Sequence, residues 1–206
     1  MSENSPPAVN HHADHPGFAG VTGILFGLLF LVIGRATAAL AADISRVGAD
    51  DHVVDVGCGP GTAARTAARR GAEVTGVDPS PSMLRIARAV TGRGAAVRWV
   101  QGSAEALRLP DGSATIVWAL ATVHHWRDVE AGIAEARRVL APGGRLLAVE
   151  RRTEPGATGT ASHGWTSQQA EAFAALCRSA GFADVSVNQE RAGRKSVWTV
   201  SAALPR

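Results

Sequence analysis

The stretch Val53-Val54-Asp55-Val56-Gly57-Cys58-Gly59-Pro60-Gly61-Thr62 constrains the fold of this chain more than any other. Its valines suit a central strand covered on both faces, because β-branched side chains in a near-continuous apolar run fit a buried parallel sheet. Gly57, Gly59 and Gly61 then let the backbone turn tightly and let a ligand approach without meeting a Cβ. An alanine-rich helix follows from Thr62, and its free N–H groups favour carboxylate, hydroxyl or phosphate oxygens. Strand, sharp turn and helix are predicted, with a binding crevice at the turn.

A second strand, Glu73-Val74-Thr75-Gly76-Val77, ends on Asp78, 17 residues beyond Gly61. An ionised Asp there can accept from both hydroxyls of a ribose diol, and it argues against a phosphorylated ribose. Dinucleotide folds carry G-x-G-x-x-G, whereas this chain has Asp55-x-Gly57-x-Gly59-x-Gly61. The offset third glycine disfavours a nicotinamide-dependent oxidoreductase. The stretch resembles the first motif of class I S-adenosylmethionine-dependent methyltransferases, and Val77-Asp78-Pro79-Ser80-Pro81-Ser82-Met83-Leu84 resembles their second. The resemblance implies S-adenosyl-L-methionine as cofactor. It implies contacts from Asp55, Gly57, Cys58, Gly59 and Gly61 at the turn, from Asp78 and Pro79 after the second strand, and from Met83 near the adenine.

The same resemblance extends along the chain. A third strand over 96–100 leads into Gln101-Gly102-Ser103-Ala104-Glu105, similar to the family's adenine-contacting turn. The family usually has an acidic residue before the alanine; Ser103 stands there, so Ser103, backbone around Ala104, and Glu105 are the candidates. A fourth strand over 115–121 contributes Leu120 and runs into Thr122-Val123-His124-His125-Trp126, which resembles a segment of small-molecule methyltransferases related to quinone-modifying enzymes. Ligands of such sheets sit beyond the carboxyl ends of the parallel strands. His124 and His125 are therefore candidate bases, with helix capping by His125 as the plain alternative. Leu140-x-Pro142-Gly143-Gly144 precedes a fifth strand that ends on Glu150, a third candidate base or else a surface carboxylate. No Asn/Asp-Pro-Pro-aromatic stretch occurs, so the signature of enzymes methylating nucleobase or glutamine amide nitrogens is missing.

Beyond Glu150, residues 151–165 read as a lid-sized loop, Thr166-x-x-Gln169 as a capping box, and 182–187 with 196–202 as a closing hairpin. The expected fold is α/β: a Rossmann-like, doubly wound, seven-stranded sheet, mostly parallel with an antiparallel edge hairpin and helices on both faces. The activity implied by the resemblance is in-line methyl transfer from a sulfonium to a small, apolar acceptor. A non-catalytic binder of the cofactor or its product is the alternative, and a homo-oligomer is left open.

Length and charge narrow the class. At 206 residues the chain suits one domain with a short appendage. Two cysteines, Cys58 and Cys177, imply no disulfide framework and a reducing compartment, the cytoplasm. The formal charge of +3 comes from scattered arginines without interleaved aromatics, so no nucleic-acid partner is expected. Residues 1–16 read as a disordered polar tail. Their His11-His12-x-x-His15 lacks a frame for a metal, and no metal site is expected. Residues 17–34 carry no charge and several glycines. They are short for a membrane span, and the His-Pro-Gly-Phe start at His15 resembles the apolar cap helix of some small methyltransferases. Cap helix and membrane attachment both stay open. With a sheet-packing helix over 35–47, the organisation is 1–16, 17–47 and a cofactor-binding domain over 48–206.

Overall fold

The computed structural model describes residues 8–12, 33–92 and 94–206. The segment 17–34 thus lies outside the described residues except for Ile33 and Gly34, as do 1–7 and 13–16. Among the described residues no helix is long and apolar enough to cross a membrane.

Helix α1 (Arg35–Ile44) precedes β1 (His52–Val56), α2 (Thr62–Arg69), β2 (Glu73–Asp78), α3 (Pro81–Val90), β3 (Val97–Gln101) and β4 (Ala114–Leu120). Then follow α4 (Val129–Val139), β5 (Leu140–Arg151), α5 (Ser167–Ser179), β6 (Ala183–Ala192) and β7 (Lys195–Ala203). The seven strands form one sheet in the order β3-β2-β1-β4-β5-β7-β6. The first five are parallel to one another, and β7 runs antiparallel to both β5 and β6. The expected doubly wound sheet with its antiparallel hairpin is therefore present. Strand order reverses between β1 and β4, and a crevice opens at such a switch point.

Period-two alternation places the core on both faces. Val53, Val74, Ile116, Trp118 and Leu147 pack with alanines of α1 and α2, whereas Val54, Val56, Val117, Ala119 and Ala148 pack toward α4 and α5. Burying Trp118 is tolerated because its indole N–H donates to Ser45 Oγ at 2.9 Å. Helix starts follow the expected chemistry: Ser80 caps α3 ahead of Pro81, Asp128 Oδ1 accepts from Ala131 N–H at 2.9 Å, and Thr166 with Gln169 forms the capping box of α5.

Some details go beyond the sequence reading. Val90, which continues the apolar stripe of Met83, Leu84 and Ala87, is 40% exposed, because α3 ends there. Strand β5 begins at Leu140, earlier than the expected start after Pro142-Gly143-Gly144, and its register against β4 shifts between Ala114 and Ile116. The hairpin strands are longer than expected, and β7 is an inner strand, leaving β6 at the edge.

Residues 8–12, assigned by composition to the polar tail, depart most. Val9 is buried, the Trp165 indole N–H donates to the Val9 carbonyl at 3.1 Å, and Gln169 Nε2 donates to the Ala8 carbonyl at 2.8 Å. Asn10 Nδ2 donates to the Trp126 carbonyl, and His12 N–H to the His124 carbonyl, both at 2.9 Å. Local composition cannot reveal these contacts because every partner lies more than a hundred residues away.

Gly132 provides a test of packing against propensity. Alanine in a helix interior is ordinarily worth about 1 kcal/mol over glycine, yet a Cβ at Gly132 would lie 2.5 Å from the buried Trp126 ring. Gly132→Ala is expected to lower stability by about 1–3 kcal/mol through overpacking, read as a lower midpoint in urea unfolding.

Candidate active site

The turn after β1 is built on three left-handed glycines, with φ of 68° at Gly57, 52° at Gly59 and 78° at Gly61. They differ in what a side chain would meet. At Gly57 a Cβ would strike the Thr122 side chain, and at Gly61 the Trp99 ring, so close packing excludes it. At Gly59 nothing lies within 4 Å, so that side of the turn is open. Only the backbone conformation demands glycine there.

Asp78 closes this turn from the neighbouring strand. Its Oδ2 accepts from Gly59 N–H and its Oδ1 from Ser80 N–H, each at 2.8 Å. Each oxygen keeps further acceptor capacity, enough for a pair of vicinal hydroxyls. Burial raises the Asp78 pKa, against the opposing effect of the two N–H donors. Asp55, fully inside β1, is pushed up to about 7 by burial; the Ala64 N–H opposes the shift and the Asp78 charge reinforces it. Burial, then the charges of Asp55 and Asp78, also raise the Cys58 thiol, which stays protonated and packs as a small apolar group.

Other cofactor candidates follow around the same rim. Met83 is buried in the first turn of α3, and a depression beyond the end of β2 is lined by Pro79, Gln101, Gly102 and Arg108. Ala104 is buried. Glu105 is already engaged: its Oε1 accepts from Arg127 N–H at 2.8 Å and Asp128 N–H at 3.3 Å, tying this turn to the start of α4. Burial pushes its carboxyl upward, but hydrogen bonds, that from Ser103 foremost, outweigh burial and leave it below its ordinary value. Leu120 closes β4. Ala121 follows with φ of 53°, a left-handed conformation that non-glycine residues adopt at some cost, usually where function or packing demands it.

A second centre forms where β4 and β5 end. Glu150 is 1% exposed and so is not the surface carboxylate weighed above. Its Oε1 accepts from Val123 N–H at 2.9 Å, and its Oε2 takes the His124 Nδ1 hydrogen at 2.8 Å. His124 and His125 ring centroids are 4.1 Å apart. Burial, then the neighbouring His124, lowers His125 to about 4, so its ring is neutral at pH 7. His163, from the loop after β5, lies 5.5 Å from both, and the His12 ring stacks on His163 at 4.1 Å. The expected trio of His124, His125 and Glu150 is thus contiguous.

His163 joins it from the lid-sized loop; sequence reasoning did not foresee that His12 joins it too, nor that Arg151 holds the loop. The Arg151 guanidinium donates to the carbonyls of His163, Thr160 and Ala161 at 3.0, 2.6 and 2.7 Å. Trp165, the last residue of the lid-sized loop, is fully buried core. A further missed residue is Thr62, whose buried hydroxyl has no hydrogen-bond partner among the described residues. The glycine turn just before it was the available signal.

The strand order is that of a Rossmann-like, doubly wound sheet. Residues 54–148 match the family model described as "Methyltransferase domain". A demethylmenaquinone methyltransferase of Tropheryma whipplei (strain Twist) is 39% identical over 104 residues, 50% of this chain and 43% of the relative. Another, from Thermus thermophilus, is 39% identical over 113 residues, 53% of this chain and 51% of the relative. The chain spans about half the length of these curated relatives. In fold it is similar to a SAM-dependent methyltransferase from Aquifex aeolicus, with a TM-score of 0.73 at 16% identity over 88% of this chain and 98% of the other.

The Asp55 carboxyl gives a pH signature. With a native pKa of about 7 against an ordinary 3.8, the folded state holds a proton that the unfolded state has already released between those values. Stability therefore falls as pH rises through that window. Asp55→Asn removes the effect, and its stability relative to wild type is expected to rise by on the order of a few kcal/mol between pH 5 and pH 8, measured by urea unfolding at each pH.

Proposed function

We propose that this chain is an S-adenosylmethionine-dependent methyltransferase acting on a small, apolar acceptor. The observation carrying the reading is the Asp78 carboxylate closed onto the Gly59 N–H beside the open face of that turn. The residues present fit the cofactor. Gly59 leaves the space, Asp78 has acceptor capacity for the ribose hydroxyls, and the Thr62 hydroxyl is buried without a protein partner among the described residues. When bound, S-adenosylmethionine supplies a methyl group activated by its sulfonium.

What the chain contributes is orientation and exclusion of water. Asp78, Pro79 and Met83 would hold the nucleoside end, while Asp55 secures the Ala64 N–H beneath the turn at 3.1 Å. Beyond β4 and β5, Glu150 orients the His124 ring, and His124 with His125 flanks the acceptor position as candidate bases. Because the methyl group arrives activated, most acceleration can come from holding the two reactants in line in a dry pocket. The demethylmenaquinone relatives support an apolar ring system as acceptor. Two free, buried cysteines support a reducing, cytoplasmic setting.

Asp78→Ala is expected to weaken S-adenosylmethionine binding by about 1.5–3 kcal/mol, the range for hydrogen bonds to a charged group. Unchanged affinity by titration calorimetry refutes the ribose assignment. With methyl-labelled cofactor, label should move to a quinol or lipophilic acceptor fraction; label that stays on the cofactor across a broad panel establishes a non-catalytic binder instead.

A further inference from the structure

We propose that His124, His125 and His163 form a three-histidine site for a divalent transition-metal ion of the zinc type, with Glu150 as the carboxylate that orients the first of them. This reverses the sequence expectation of no metal site. That expectation considered only the histidines of the polar terminus, whereas the cluster assembles from two distant segments.

The geometry is that of a ligand set. One ligand nitrogen from each of the three rings lies within 4.8 Å of the others. Tetrahedral zinc with Zn–N near 2.0–2.1 Å places its nitrogens about 3.3 Å apart, so a small inward rotation of the rings closes the site. Three protein ligands leave a fourth position for water or a substrate oxygen, as in catalytic rather than structural zinc sites. Metal-binding histidines characteristically give their other ring nitrogen to a carboxylate or a backbone carbonyl, which fixes the ring. His124 does this through the buried Glu150 at 2.8 Å, leaving Nε2 to ligate, and His125 Nδ1 faces the His12 carbonyl at 3.4 Å.

The third ligand is also held in place. Arg151 binds three carbonyls of the loop carrying His163, and Trp165 N–H donates to the Arg151 carbonyl at 2.8 Å. A Cβ at Gly164 would meet that Arg151 carbonyl, so only glycine lets the loop come this close. The ion would therefore sit beyond the carboxyl ends of β4 and β5. If the methyltransferase reading holds, on which this part rests, ligating His124 and His125 no longer serve as bases; the ion's open position instead suits an acceptor hydroxyl, whose proton it would make easier to lose, and the acceptor class narrows to apolar molecules carrying one.

The intact chain, stripped of metal, is titrated with Zn2+ by calorimetry and with Co2+ by visible absorption. A bound stoichiometric ion with the d–d bands of a low-coordinate Co2+ site is expected. The double variant His125→Ala/His163→Ala is expected to lose at least about a hundredfold in Zn2+ affinity, and Glu150→Gln about 10–100-fold, with metal-free unfolding curves showing that the variants are folded. Absent Zn2+ binding, or binding that persists undiminished in the folded double variant, overturns the proposal. S-adenosylmethionine is titrated separately: Zn2+ binding that follows the histidines while the cofactor fails to bind keeps the metal site and removes the methyltransferase reading.

Discussion

The hydrogen bond from Gly59 N–H to Asp78 joins the tips of two adjacent parallel strands, and the cofactor end of the molecule depends on it. Parallel strands of a doubly wound sheet carry their crossover helices on the faces, so their tips form the rim where function concentrates. A carboxylate bound to a turn N–H makes that rim rigid while still offering acceptor lone pairs outward. The left-handed Gly59 is what turns its N–H toward β2, and its missing Cβ leaves the approach open.

Burying two carboxylates has an electrostatic cost, visible in the raised pKa of both Asp55 and Asp78, and at Asp55 the Asp78 charge adds to the effect of burial. The Ala64, Gly59 and Ser80 N–H groups offset part of it. Sites that must meet a polar, partly cationic ligand commonly keep such groups desolvated, because a charge is most effective where water does not screen it. The same reasoning separates Glu105 from this group. Its hydrogen bonds leave its carboxyl below the ordinary value despite burial, and tie one loop to the start of α4.

The far end of the rim follows a different principle. Glu150 is buried, and its two oxygens are engaged by Val123 N–H and His124, which fixes the orientation of that imidazole. Residues 8–12 cross this end, bringing His12 against His163 while Val9 anchors them in the core beside Trp165. Arg151 and Gly164 hold the loop from the other side. Four chain segments thus converge on one group of imidazoles, at the β4–β5 end of the same rim.

Features encoded by neighbours in the chain were legible from the sequence alone. The valine runs, the offset glycines, Asp78 ending β2, the caps at Ser80, Asp128 and Thr166, and the closing hairpin all rest on backbone conformation and short-range periodicity. The tertiary structure decided what depends on distant partners: the exposure of Val90, the burial of Trp165 and Glu150, the engagement of Glu105, and the docking of residues 8–12. The histidine cluster belongs to this second kind. No spacing rule links His12, His124, His125 and His163, because the sheet, not the chain, brings them within a few ångströms of one another.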